Sequence, residues 1–215
     1  MRIAVILLLS LPAAQVTAQA SLETKLVVTQ EGRETGREEF TLGSGRGRGA
    51  PGSTLTAVAR YPATNPLLKL GATLERTPEF ALAKFQLDVD GPNGTTIILA
   101  AGSGARLIVR TVAKGSEAGR ELPGGPDVVL LDESVYSLYA AVADLATPAG
   151  KTLTGVFPRS GRRASFVARR EGGGGNSAQV TLSGDINGTL DTDPKGRLRR
   201  LEFPGSNILV TRAQD

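Results

Sequence analysis

Alternating apolar and polar residues predict β-strands along most of the chain. Between residues 21 and 30, Leu26 and Val28 share one face while Lys25 lies on the other, which is the period-two pattern of a half-buried strand. A glycine-containing turn then leads into a second strand over 35–42, so that the two strands form an opening hairpin. The same alternation predicts further strands over 53–61, 72–77, 79–90, 95–101, 105–112, 151–157, 164–171, 178–184, 185–190, 197–203 and 207–212.

One segment changes to a helical period. We predict an amphipathic helix over 133–147, with Asp132 as its N-cap and an end near Gly150. Its apolar face combines residues spaced three or four positions apart, namely Val135, Leu138, Tyr139, Val142 and Leu145. A helix with one apolar face is expected to cover one side of the sheet.

The connections between the predicted strands are short, which favours antiparallel neighbours because parallel strands need long crossovers. We therefore expect one mainly β domain over 21–215. It would be a curved antiparallel sheet or half-barrel of about ten to twelve strands with one amphipathic helix packed on it. The glycine-rich segments 43–52 and 115–127 are predicted to be flexible loops.

Residues 1–20 have the pattern of a secretory signal peptide. Arg2 supplies the positive charge, residues 3–11 form the apolar run, and Ala18-Gln19-Ala20 supplies the small residues of a cleavage site. This run is shorter than the ~20 residues of a membrane-spanning helix, and no later segment approaches that length. We expect the mature protein to begin at Ser21 and to be periplasmic or secreted, with no membrane span.

The amino-acid composition excludes several kinds of catalytic and metal site. The chain contains no His and no Cys, which excludes Ser-His-Asp triads, thiol nucleophiles, iron–sulfur ligation and metal centres with His or Cys ligands. Trp is also absent, and the chain has three Tyr and six Phe. A sequence so poor in aromatic rings disfavours stacking surfaces for carbohydrate or single-stranded nucleic acid.

Two Asp-containing segments, 88–94 and 185–193, have some features of calcium loops. An EF-hand loop requires a bidentate Glu at its twelfth position, but that position is Leu99 in the first case and Gly196 in the second. We interpret both segments as hairpin turns built from Asp, Asn and Gly. The sequence therefore predicts no metal site and no cofactor.

Two pairs of adjacent carboxylates are candidates for acid–base chemistry. Glu38 and Glu39 divide between the two faces of a strand. Asp132 and Glu133 sit at the predicted helix start, where acids interact favourably with exposed backbone amides. Neither spacing identifies a catalytic pair, so we assign no catalytic residue.

The chain carries a formal net charge of +4, and the basic excess lies in residues 151–215. Arg197 and Arg199 share a strand face there while Arg200 lies on the other. Such a two-sided scatter differs from the basic stripe of a nucleic-acid interface. We expect no nucleic-acid partner, and an anionic lipid head group or surface would suit these arginines better.

Two segments resemble a known group of proteins. The first is the opening hairpin Val28-Thr29-Gln30-Glu31-Gly32-Arg33-Glu34-Thr35-Gly36. The second is a closing stretch that contains Asp193-Pro194-Lys195-Gly196-Arg197-Leu198, Phe203-Pro204-Gly205 and Val210-Thr211-Arg212. With the inserted helix, this layout is similar to periplasmic half-barrel proteins, which include the lipoprotein carriers of the bacterial envelope and uncharacterised secreted relatives. The resemblance implies a half-barrel with a ligand cavity, and it implies no catalytic residues.

The leading hypothesis is a soluble, non-enzymatic protein that binds an apolar or amphiphilic envelope molecule, such as a lipid, between the sheet and the helix. Nearby arginines would meet any anionic head group. The predicted ligand-binding residues are Phe85, Tyr136, Tyr139, Phe157 and Phe166. One alternative is a structural or interaction module that binds another envelope protein or an anionic surface. The other, less favoured, is a carboxylate-dependent hydrolase.

Overall fold

The computed structural model describes residues 23–172 and 177–213, and β-strands dominate them. The strands are β1 (Thr24–Gln30), β2 (Arg33–Ser44), β3 (Ser53–Tyr61), β4 (Leu68–Arg76), β5 (Leu82–Gly91), β6 (Gly94–Ser103), β7 (Arg106–Ala113), β8 (Ser116–Pro123), β9 (Val128–Leu130), β10 (Lys151–Phe157), β11 (Arg162–Gly172), β12 (Ala178–Gly184), β13 (Gly188–Thr192), β14 (Leu198–Phe203) and β15 (Ile208–Arg212). The predicted mainly β class is confirmed, although these ranges hold 15 strands and not ten to twelve.

All of these strands form one open, curved sheet in the order β8-β7-β6-β5-β4-β3-β2-β1-β15-β14-β13-β12-β11-β10-β9. Neighbours are antiparallel except at one edge, where β9 pairs with β10 in parallel. The expectation that no parallel pair forms is wrong at this edge. The chain between β9 and β10 passes through the helical region, and that detour supplies the long crossover that a parallel pair needs.

Two meanders, β1–β8 and β10–β15, meet at the centre of the sheet. Val28 of β1 faces Val210 of β15 across this junction, and both side chains are buried. Alternate residues on each strand point to the same side as these valines, as in β5, where Phe85 and Leu87 are buried while Lys84 is exposed. The inward residues of both meanders join in one hydrophobic core.

A short helical segment covers the inner side of the sheet. It consists of a 3₁₀ turn, Tyr136–Tyr139, followed directly by an α-helix, α1 (Ala140–Leu145). The predicted helix over 133–147 therefore exists in a shorter form. Residues of both its predicted apolar face and its opposite face, such as Ala141 and Ala143, are buried. A segment with core on every side needs no polar face, and this one lies inside the protein.

Arginines from the sheet bind the C-terminal half of this segment. Arg170 of β11 donates a hydrogen bond to the Ala143 carbonyl at 2.8 Å. Arg76 of β4 is buried and pairs with Asp144 at 2.6 Å. Cations near a helix C-terminus interact favourably with its unpaired carbonyls, so these contacts fix α1 to both halves of the sheet.

The prediction of a flexible loop over 115–127 is wrong for most of this segment, because the segment contains β8. Residues of β8 are almost all exposed, and the strand has no apolar alternation to reveal it. It is held by backbone pairing with β7 and by two surface ion pairs, Arg106–Glu121 and Arg110–Glu117. The other predicted loop, 43–52, overlaps the end of β2 and then contains a 3₁₀ turn, Gly47–Gly49.

Residues 1–20, predicted to be a signal peptide, and the expected first mature residue, Ser21, lie outside the described residues. Both therefore stay predictions. Within 23–172 and 177–213, no helix has the length and apolar character that crossing a membrane requires.

Gly188, at the start of β13, leaves space for the ring of Phe203 on β14. A Cβ atom here would lie 2.8 Å from Phe203 Cδ1 and nearer still to the backbone carbonyl of Glu202. Because the backbone cannot yield easily, we expect Gly188→Ala to lower the free energy of unfolding by about 1–3 kcal/mol, measured by urea denaturation.

Gly119 of β8 provides the matched control, since a Cβ atom there would meet nothing within 4 Å. Gly119→Ala should change the free energy of unfolding by less than about 0.5 kcal/mol. Similar losses for the two variants would contradict the steric role of Gly188.

Candidate functional site

A cavity of about 360 Å³ lies beside the first turn of the helical segment. Six parts of the chain border it: the approach to the 3₁₀ turn, the turn itself, the end of β10, the start of β11, the β12–β13 turn and the connection from the end of β14 to the start of β15. We refer to it as the tyrosine cavity. Its lining residues are Asp132, Glu133, Tyr136, Tyr139, Phe157, Arg162, Asp185, Ile186, Asn187, Phe203, Gly205, Ser206 and Ile208.

Aromatic rings are concentrated at this cavity. It receives two of the three tyrosines and two of the six phenylalanines of the chain. Phe203 lies between both tyrosines, with ring centroids 6.4 Å from Tyr136 and 5.2 Å from Tyr139. The second contact is edge-on, a favoured geometry for aromatic pairs. These contacts hold the rings together as one apolar wall.

Of the five ligand-binding residues predicted from the sequence, three line the tyrosine cavity: Tyr136, Tyr139 and Phe157. The other two, Phe85 of β5 and Phe166 of β11, are fully buried in the core and do not line the cavity, because their strands turn these positions toward the interior. Phe157 is equally buried, with the Arg162 guanidinium over its ring.

One cationic side chain lines the cavity. The Arg162 guanidinium carbon lies 3.7 Å from the centroid of the Phe157 ring, an arrangement in which a cation contacts the electron-rich ring face. Arg162 Nε is also 3.8 Å from a carboxylate oxygen of Glu133. Glu133 in turn accepts a 2.6 Å hydrogen bond from the Ser160 hydroxyl.

Asp132 behaves differently from the N-cap that its position suggests. Its carboxylate is buried and accepts two hydrogen bonds of 2.8 Å from the Arg159 guanidinium. One oxygen also accepts the backbone N–H of Ser134 at 2.8 Å. The prediction that Asp132 caps the helix is therefore wrong, because this residue orders the turn before the helical segment. Its hydrogen bond to Arg159 raises the pKa of that guanidinium.

The capping carboxylate comes instead from Glu38, which lies on the inner face of β2. Its two oxygens accept hydrogen bonds from the backbone N–H groups of Tyr136 (2.8 Å) and Ser137 (3.0 Å). The first N–H groups of a helical turn have no partner within the turn. A carboxylate there satisfies two of them and interacts favourably with the helix dipole. Glu38 thus fixes the turn that carries both cavity tyrosines.

Burial sets the protonation of this interior. It raises the pKa of Glu38 from 4.5 to about 7, while the N–H donors of Ser137 and Tyr136 work in the opposite direction. Burial also raises the pKa of Tyr139 and that of Tyr136, the latter to about 12. Both tyrosines are therefore neutral at physiological pH and present hydroxyl groups, not phenolates.

Sequence reasoning did not connect Glu38, Phe203 or Arg162 with this site, and it named Glu38 only as part of an acid–base pair with Glu39. Glu38 did carry a signal, because it shares the inner face of β2 with Phe40, and an acid on a buried face needs a specific partner. The division of Glu38 and Glu39 between two faces is confirmed, since Glu39 is half-buried and pairs with Arg60. Phe203 and Arg162 come from distant strands, and only the sheet order brings them together.

These features describe a mainly β protein with an aromatic, polar-edged cavity under one helical segment. Neither the family models nor the curated proteins include a match to the chain. One solved structure is similar: the crystal structure of a DUF1089 family protein from Pseudomonas aeruginosa, with a TM-score of 0.45 and 12% sequence identity over 92% of this chain and 97% of that chain. A likeness at this level supports no statement about function. No lipoprotein carrier or secreted relative is shown, so that resemblance stays a prediction.

We expect the buried Glu38 carboxyl to make stability depend on pH. Its pKa is higher in the folded protein than in the unfolded chain, so the folded state binds the proton more tightly. This contribution is complete below pH 4.5 and disappears as pH rises through about 7. Glu38→Gln should remove up to about 3 kcal/mol of the difference in unfolding free energy between pH 5 and pH 8, measured by urea denaturation.

Glu39→Gln is the matched control, because it neutralises the neighbouring carboxylate on the opposite face. It should leave the pH 5 to pH 8 difference as in the original protein. A Glu38→Gln variant with the same pH dependence as the Glu39→Gln variant would show that Glu38 ionises as easily in the fold as in the unfolded chain.

Proposed function

We propose that this protein is an exported, non-enzymatic binding protein that holds an amphiphilic molecule of the cell envelope in the tyrosine cavity. The concentration of rings carries this proposal. A chain with few aromatic residues places two Tyr and two Phe around one cavity, together with Ile186 and Ile208. The pattern of residues 1–20 supports export.

The size and chemistry of the cavity suit a small amphiphile. Ligand pockets typically have volumes of about 300–1,000 Å³, apolar walls and a few polar groups, and this cavity has about 360 Å³. The apolar part of the ligand would lie against Tyr139, Phe203 and Ile208. Its polar end would meet polar lining residues such as Asp185 and Asn187.

The two alternative functions have less support. For a hydrolase, the acidic residues that line the cavity are Asp132, Glu133 and Asp185. All three already accept hydrogen bonds, from Arg159, Ser160 and the Ser165 N–H respectively. For an interaction module, the edge strand β8 presents mainly charged and small side chains, which discourage strand pairing with a partner. Both alternatives stay predictions.

Binding of 1-octanol, a neutral amphiphile, tests the proposal. We expect saturable binding with a dissociation constant of about 1 mM or lower, measured by isothermal titration calorimetry. Tyrosine fluorescence provides a second readout, because the chain has no Trp and two of its three tyrosines line the cavity.

Ser206→Trp should weaken this binding at least about tenfold, because Ser206 is exposed at the cavity and an indole there would occupy its space. Ser103→Trp is the control, since Ser103 is exposed at the end of β6 and does not line the cavity. An absence of saturable binding, or equal binding by the two variants, would contradict the proposed site.

A further inference from the structure

The charges around the tyrosine cavity oppose the charge of the whole protein. Three acidic residues line the cavity, Asp132, Glu133 and Asp185, against one basic residue, Arg162. The complete chain has a net charge of +4. The acidic lining is therefore a local property and not a consequence of composition.

Two of these carboxylates are balanced by neighbouring arginines. Asp132 forms its bidentate pair with Arg159, at 2.8 Å for each hydrogen bond. Glu133 lies 3.7 Å from Arg159 and 3.8 Å from Arg162. These four side chains together carry no net charge.

Asp185 is the carboxylate that remains. Among the described residues, no Lys or Arg nitrogen lies within 4.0 Å of its oxygens. Its backbone N–H donates to the Ser165 carbonyl at 2.9 Å, and its side chain accepts the Ser165 N–H at 2.8 Å. This pair of hydrogen bonds fixes the carboxylate to β11. Asp185 is exposed to solvent, so the cavity lining includes one negative charge that is fixed in position and has no cationic side chain of the described residues beside it.

The aromatic rings, like Asp185, favour a positively charged ligand. The faces of Tyr and Phe rings attract cations, and Phe157 already interacts in this way with Arg162. Tyr136, Tyr139 and Phe203 supply three further rings at the same cavity. An anionic head group would instead meet these rings and Asp185 with a single guanidinium available to balance it.

We infer that the tyrosine cavity selects an amphiphile with a cationic head group, a primary amine or quaternary ammonium, whose charge pairs with Asp185 beside the aromatic rings. This inference rests on the proposed function and specifies the ligand class. It also replaces the expectation that arginines receive an anionic head.

Three ligands with equal octyl chains test the inference: octyltrimethylammonium, 1-octanol and octyl sulfate. Calorimetry at about 150 mM salt limits attraction by distant surface charges. The expected result is that the ammonium binds about tenfold more tightly than 1-octanol and that octyl sulfate binds more weakly than 1-octanol.

Asp185→Asn removes the charge while its side-chain oxygen can still accept the Ser165 N–H. It should reduce the preference for octyltrimethylammonium over 1-octanol about fivefold. Asp191→Asn, on the next strand of the same hairpin and away from the cavity, should leave the preference intact.

The outcomes separate the two levels of the proposal. Binding of 1-octanol with equal or tighter binding of octyl sulfate would overturn the cationic preference alone, as would an unchanged preference in Asp185→Asn. Failure of all three ligands to bind the folded protein would overturn the ligand class and the proposed function together.

Discussion

The buried contact between Glu38 and the first turn of the helical segment is the interaction on which the site depends. The segment has core on all sides, so apolar packing alone does not specify which way its first turn faces. A carboxylate with two backbone donors does, because leaving those donors unpaired in the interior costs about 1–3 kcal/mol each. With the turn fixed, Tyr136 and Tyr139 meet Phe203 of β14, and the cavity forms beside them.

This contact explains why the cap could not be predicted locally. Asp132 precedes an apolar helical pattern, which is the usual signature of an N-cap. The acid that binds the turn is 98 residues from Tyr136 in the chain, and no local pattern links them. Asp132 instead pairs with Arg159. Local propensity indicated that a helix starts in this region, and tertiary contacts decided where it starts and which acid caps it.

Strands with a buried face were predictable, and strands without one were not. The hairpin of β1 and β2 and the turn between β5 and β6 follow directly from alternation and from Pro, Asn and Gly in the turns. Strand β8 has no apolar alternation, and β9 has only three residues. Both are strands because they pair with a neighbouring strand, and that pairing leaves no pattern in their own sequences. The same reasoning applies to the site: the tyrosines belong to a recognisable pattern, whereas Phe203 and Asp185 become neighbours of the tyrosines only through the order of strands.

The junction of β1 with β15 has a consequence for how the molecule forms. Adjacent strands elsewhere in the sheet are mostly close in sequence, so each meander assembles from short loops. The central seam is different, since Thr29 of β1 donates a hydrogen bond to the carbonyl of Leu209, 180 residues away. Closing so long a loop slows folding. We therefore expect the two meanders to nucleate separately and to pair at this junction last, so that Glu38 of β2 reaches the backbone of Tyr136 only once both halves have folded.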